Sequence, residues 1–461
     1  MNAYAKTITL KSLMVLSMGS LMISCNQNDT LTSKSELDTK LEDALVTASK
    51  GVGKSYYTFP ESDEYSKIPQ DPNNPITAAK VELGKMLFHE TGISQNPLQS
   101  EGLQTYSCAS CHHAKAGFQA CVAQGIGEGG SGFGVQGETR KMATTYSAKS
   151  IDIQPIRSPS AMNSAYQNLM LWNGQFGAKG KNIGTQTSWT RGTPKEANFK
   201  GYEGVETQAI AGRDVHRLLI DKIFVNNVGN YRDLFIKAYG AASVVDDPAT
   251  LAINGSLAIA AYERTLLANQ APFQQWLKGK SAALTENQKK GAIIFFGKGE
   301  CATCHNGPSL ANMEFYALGM NNLKNGSYGN SMVVGVSETT AEHKGRGGFT
   351  GKAEDMYKFK VPQLYNLKDS PFYGHGASFS SIEAIVKYKN AGIAENSAVP
   401  SSQLAKEFKP LNLTSEEISQ LTDFIKEGLR DPNLQRYVPN KLPSGLAFPN
   451  NDAQSRKDLG Y

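Results

Sequence analysis

The pentapeptide Cys108-Ala109-Ser110-Cys111-His112 returns later in the chain as Cys301-Ala302-Thr303-Cys304-His305. A polypeptide that carries Cys-x-x-Cys-His twice must fold twice around whatever those residues hold. At this spacing the two thiols can form thioethers to the vinyl groups of a haem, and the adjoining histidine then falls beneath the iron as its proximal ligand. A structural zinc site needs four ligands, commonly two Cys pairs, and does not require His directly after the second Cys. A thioredoxin-like dithiol has no use for that His and belongs near a βαβ pattern. The motifs therefore imply two covalently bound haem c groups, one on Cys108, Cys111 and His112, the other on Cys301, Cys304 and His305.

The flanking sequence repeats as well. Before the first motif runs Ile76-Thr77-Ala78-Ala79-Lys80-Val81-Glu82-Leu83-Gly84-Lys85-Met86-Leu87-Phe88, and before the second runs Leu284-Thr285-Glu286-Asn287-Gln288-Lys289-Lys290-Gly291-Ala292-Ile293-Ile294-Phe295-Phe296. Each copy has a Thr able to cap a helix, and each places Gly and Phe at i and i+4, a close-approach position beside a bulky anchor on one face. Matched helices before matched haem motifs point to duplication. Each unit should close with a second helix packed across the first. Leu257 to Leu267 is one candidate; the capping box Thr414-Ser415-Glu416-Glu417 opens the other, with Ile418, Leu421, Phe424, Ile425 and Leu429 on its inner stripe. The fold class is mainly α, two cytochrome c-like haem domains packed together with long irregular loops, among them Gly125 to Gly137 and Gly319 to Gly351. The expected boundaries are 76–275 and 276–440, with the crossing near Ala271-Pro272-Phe273 and a C-terminal tail over 441–461.

The N-terminus reads as an exported leader. Lys6 and Lys11 precede an apolar stretch from Leu13 to Ile23 that is too short to span a bilayer. Ser24-Cys25 follows, so residues 1–25 read as a lipoprotein signal peptide with Cys25 as lipid anchor, the alternative being an ordinary leader with an incidental cysteine. Residues 26–75 read as a tether, polar from Asn26 to about Gly53. Such a protein is periplasmic and lipid-anchored to the membrane. Of six cysteines only Cys121 is then without a role, as suits a small buried hydrophobe. A net charge of +5 over 461 residues, with no long basic run, does not imply nucleic acid.

Over roughly Ile76 to Leu429 the order of motifs resembles the bacterial dihaem cytochrome c peroxidases and their relative, the methylamine-utilisation protein MauG. The resemblance rests on Leu83-Gly84-Lys85-Met86-Leu87-Phe88, Ser158-Pro159-Ser160, Leu171-Trp172-Asn173-Gly174, Glu206-Thr207-Gln208-Ala209, Ala261-Tyr262-Glu263-Arg264-Thr265-Leu266 and Cys304-His305-Asn306-Gly307-Pro308. Phe359-Lys360-Val361-Pro362-Gln363-Leu364-Tyr365-Asn366 and Gly374-His375-Gly376 extend it.

The resemblance implies an oxidoreductase that reduces hydrogen peroxide to water with two electrons from a small cytochrome or similar donor. Homodimers are common among such peroxidases. His112 would lie beneath the peroxidatic iron and His305 beneath the electron-entry iron, with Trp172 between them as a route for electrons. The family's distal Gln matches Gln208. Its distal Glu, ten residues on, is replaced by Leu218, which cannot move a proton. Substitutes nearby are Glu206, His216 and Arg217, of which His216 is the most natural proton shuttle and Arg217 could stabilise the departing oxygen. The loop from Gly125 to Gly134 holds no histidine, so the peroxidatic iron is expected to be open without reductive activation. For the sixth ligand of the other iron the resemblance ranks Tyr388 above Met356, with Lys389 a competitor because an extra residue near Gly374 blurs the register. Calcium between the domains would take oxygens from Asp369 and Pro371, but Arg157 stands where a side-chain amide is expected. The alternative functions are a MauG-like enzyme oxidising a protein or organic substrate through a high-valent haem state, and a dihaem electron carrier.

Overall fold

Helices dominate, and their starts follow the capping chemistry written in the sequence. Thr77 accepts a hydrogen bond from Lys80 N, and Thr285 and Thr414 each close a capping box, with Gln288 and Glu417 respectively. The computed structural model describes residues 35–244 and 247–461. Their first helices are α1 (Glu36–Ala48), α2 (Ala78–His89), α3 (Gly204–Val215), α4 (Lys222–Asn227), α5 (Tyr231–Tyr239) and α6 (Pro248–Arg264). Then come α7 (Pro272–Leu277), α8 (Glu286–Phe296), α9 (Arg346–Thr350), α10 (Ile382–Ala391), α11 (Ser415–Asp423) and α12 (Ala453–Leu459). Among the described residues the sheet content is three short antiparallel pairs, 130–131 with 141–142, 315–316 with 359–360 and 326–328 with 331–333. No described helix is long and apolar enough to cross a membrane.

The two halves use one packing device. A Cβ on Gly84 of α2 would lie 1.9 Å from Ala258 O of α6, and one on Gly291 of α8 would lie 2.0 Å from Gln420 O of α11. Only glycine lets each helix pair approach so closely. One turn further on, Phe88 and Phe295 are fully buried. The inner stripe from Ile418 to Leu429 is buried too, although its last turn, Phe424–Gly428, is π-helical rather than α. Trp276 and Trp189 are packing residues: Trp276 stacks on Phe273 and donates to Asp38 Oδ1 at 2.6 Å, and Trp189 packs edge-on to Phe199.

Two expectations need correcting. The segment read as a tether is folded from Glu36 onward, because α1 is amphipathic: Leu41 and Leu45 are fully buried and Asp38 pairs with Lys289 Nζ of α8 at 2.7 Å. Residues Glu36–Tyr461 thus form one compact unit. The last twenty residues are likewise built in, for Thr91 Oγ1 donates to Ala447 O and both Ser107 Oγ and Ser110 Oγ donate to Pro449 O. The leader, Cys25 and the start of the tether lie outside the described residues.

Candidate cofactor cavities and active site

Two cavities open where the motifs lie. The first, about 330 Å³, is lined by Cys108, Cys111 and His112 together with apolar groups that include Ile93, Pro159, Leu171, Phe176, Leu218 and Ile259. Short 3₁₀ turns at Cys108–Ser110 and Cys301–Thr303 bring each pair of thiols round to one side. His112 Nδ1 lies 3.3 Å from Phe118 O, and His305 Nδ1 lies 2.9 Å from Leu310 O. Each carbonyl fixes the tautomer and leaves Nε2 as the lone-pair nitrogen. Burial pulls both imidazoles down to about 4, so they are neutral, as a metal ligand must be. Paired thiols, an oriented neutral histidine and a largely apolar wall fit haem c in both cavities.

Helix α3 and the residues after it also line the first cavity. Gln208, Gly212, Val215 and His216 line it, and Gln208 Oε1 is buried without a hydrogen-bond partner. His216 Nδ1 lies 2.7 Å from Asp152 Oδ2, while Asp152 is buried. Burial opposes the imidazolium, yet the adjacent carboxylate outweighs it and holds the His216 pKa above its ordinary 6.5. The glycine-rich loop makes the pair possible. Gly127 N donates to Asp152 O and Asp152 N to Glu128 O, each at 3.0 Å, and a Cβ on Gly127 would sit 2.3 Å from Asp152 Oδ2. His113 does not line this cavity; it is buried against Phe133.

Other distal candidates fall away. Glu206 is fully buried in a two-point pair with Arg264, Oε1 to Nε at 2.8 Å and Oε2 to Nη2 at 2.6 Å, and does not line the cavity. Arg217 turns in a left-handed backbone conformation, φ 55°, and points its Nε at Glu128 Oε2, 2.7 Å away, so it too is outside. Two residues escaped the sequence reading. Asp152 belongs to no motif. Glu263 stood in plain view inside Ala261–Leu266, and it lines the cavity with a carboxyl that burial, aided by Glu206 and opposed by Arg264, pushes up to about 8.

The second cavity, about 200 Å³, is lined by Cys301, Cys304, His305, Met320, Tyr357, Lys389 and a stripe of α10. Neither leading candidate for the sixth ligand faces it. Tyr388 lies on the flank of α10, where its hydroxyl donates to Leu318 O at 2.5 Å and its ring packs against Phe379 and Phe408. The Met356 thioether is spent on packing, 2.6 Å from where a Cβ on Gly347 would lie. Lys389 does line the cavity, and burial lowers its pKa below the ordinary lysine value.

Trp172 lines both cavities. Its Nε1 donates to Arg157 O at 2.8 Å, and its ring meets His375 edge-on at 6.3 Å. The Arg157 side chain bears on the calcium expectation. Fully buried, the guanidinium donates from Nη1 to Val122 O, and from Nη2 to Gln119 Oε1, Ala120 O and Ser370 Oγ. Asp369 is occupied by Arg430 Nε and Asn366 Nδ2, each at 2.7 Å. With Arg157 standing beside Ser370 and Arg430 holding Asp369, this cation-rich donor set does not fit calcium, and no described cluster of His, Cys, Asp and Glu could hold a metal ion.

The chain is similar to several known proteins. The family model described as di-haem cytochrome c peroxidase matches residues 78–282. The chain is 28% identical over 383 residues to cytochrome-c peroxidase IdrP1 of Denitromonas iodatirespirans, covering 80% of this chain and 86% of that protein. It is 24% identical over 381 residues to methylamine utilization protein MauG of Methylorubrum extorquens, covering 82% and 85%. With cytochrome c551 peroxidase of Nitrosomonas europaea it shares 27% identity over 352 residues, 76% and 80%. Among solved structures, a MauG-like protein associated with microbial copper homeostasis superposes with a TM-score of 0.53 at 21% identity, covering 82% of this chain and 95% of that one, a likeness of fold. Motif order, the family model and these relatives all liken the chain to the di-haem cytochrome c peroxidases and MauG.

Proposed function

We propose that the protein is a dihaem peroxidase that reduces hydrogen peroxide to two waters, taking two electrons from a small cytochrome or similar donor and two protons from solvent. The observation that carries this reading is the cavity at His112, where His216, backed by Asp152, and the unpartnered Gln208 Oε1 converge. Haem, when bound, supplies the redox-active iron and the stored oxidising equivalents.

The chain supplies the rest. Gln208 offers a hydrogen bond that orients peroxide. His216 Nε2, the nitrogen not engaged by Asp152, takes the proton from the nearer peroxide oxygen and returns it to the departing one, as a general base and then a general acid. Asp152 holds the ring and stabilises the imidazolium in between. The Gly125–Gly134 loop brings no histidine to the cavity, so peroxide entry needs no ligand to leave. Trp172, shared by both cavities, carries electrons between them. With Tyr388 turned to Leu318 O, the phenolate that would have favoured MauG-like substrate oxidation is not in the second cavity. We place the protein in the periplasm, anchored through Cys25, on the strength of its leader sequence.

Steady-state assay with peroxide and a reduced small c-type cytochrome tests the function. Fast turnover is expected, reduced at least about a hundredfold in His216→Ala, the scale of a lost general acid-base. Negligible turnover of the wild type, with peroxide oxidising an added protein or organic substrate instead, overturns it.

A further inference from the structure

Helix α10 presents Ile382, Ile385, Val386 and Lys389 to the second cavity. That spacing is one continuous face of a helix, apolar for three positions and ending in an amine. Lys389 Nζ has no hydrogen-bond or ion-pair partner among the described residues; it lies 5.3 Å from the centroid of the Phe408 ring. It shares the cavity with Cys301, Cys304 and His305 and with the carboxylate of Glu407. The amine ends an otherwise apolar stripe, in reach of the space that the haem would fill.

Competing donors in the same wall are mostly spoken for. His343 Nε2 lies 3.0 Å from Pro155 O, and His375 Nε2 lies 3.0 Å from Asn322 Oδ1 with its ring stacked on Phe359. Tyr316 sits on the short β pair with Phe359 and Lys360, beside Cys304. Met320 packs against the turn at Gly374, its Sδ 3.3 Å from where a Cβ there would lie. Tyr357 remains, held on a left-handed backbone at φ 61°.

Resting on the reading that this cavity holds a haem, we propose that Lys389 Nζ is the sixth ligand of the iron held by His305, where a phenolate or thioether was expected. The second cofactor is then coordinated by two nitrogens, one from each side, and is closed to peroxide. Division of labour between the cavities follows from it: the iron at His112 is open, the one at His305 is saturated.

The test is spectroscopic and needs no turnover. Electron paramagnetic resonance and near-infrared magnetic circular dichroism of the ferric holoprotein should show one low-spin haem with two nitrogen axial ligands. Lys389→Ala should convert that haem to high spin and let added imidazole bind to it. Lys389→Met, similar in size and kinder to the fold, should replace the nitrogen signature with a thioether one and raise the midpoint potential. Tyr388→Phe should leave the spectrum unchanged. An unchanged spectrum in a two-haem Lys389→Ala protein, or loss of the low-spin signal in Met320→Leu or Tyr357→Phe, overturns the ligand assignment alone. A pyridine haemochrome assay giving a single haem per chain overturns the reading of the cavity and the assignment with it.

Discussion

His216 has a charge state set by a contest between burial and Asp152, which the carboxylate wins. A base must be neutral to accept a proton, so peroxidase activity should fall as pH drops through a pKa above 6.5. Asp152→Asn removes the charge that raises it; the acidic limb of kcat/KM should move to lower pH, and kcat should fall as the ring loses its support. A limb that stays in place in Asp152→Asn would break the link between the two residues. At Arg157, the guanidinium already bonded to four oxygens makes a second expectation plain: prolonged treatment with a calcium chelator should change neither the haem spectra nor the turnover, whereas Arg157→Ala should disturb both. His216 could be picked out from the sequence because the position expected to carry the acid had become Leu218. Asp152 could not, since its partner lies 64 positions away and only the folded Gly127 turn joins them. Nor could Lys389 be told from Tyr388: one step along a helix is a rotation of about 100°, enough to turn a side chain from the cavity toward Leu318.

Among the elements, α2 with α6 and α8 with α11 were legible before any coordinates, because Thr caps and the Gly-Phe spacing are local signals. The glycines carry a sharper claim. A methyl at Gly84 or Gly291 would collide with backbone, which cannot yield as a flexible side chain can. Gly84→Ala and Gly291→Ala should each cost about 1–3 kcal/mol, the range for overpacking, read from urea denaturation. If either variant matches the wild type in stability, the close approach of the helix pair is wrong. By contrast α1 was misread. Its polar composition outweighed its two inward leucines, and what they pack on is distant in sequence. Leu41→Ala should destabilise the protein by about 2–5 kcal/mol by the same measurement, whereas a loose tether would tolerate it without effect.

Across the whole molecule, the two cavities share one indole, and Arg157, whose carbonyl it contacts, ties together segments from both sides of the chain. Arg157 N donates to His375 O at 3.0 Å, its carbonyl receives Trp172 Nε1, and its guanidinium reaches Ser370. This wiring was only half legible. Motif order announced two centres, but which polar groups join them depends on contacts between residues more than two hundred positions apart. The C-terminal residues complete the picture. Asp458 Oδ2 accepts from Phe133 N and Gly134 N, Asp452 Oδ1 accepts from Gly132 N, and Pro449 O receives Ser107 and Ser110 on either side of Cys108. The turn that carries Cys108 is therefore held by residues about 340 positions later in the chain, so the first haem motif reaches its final shape only once that distant segment has docked.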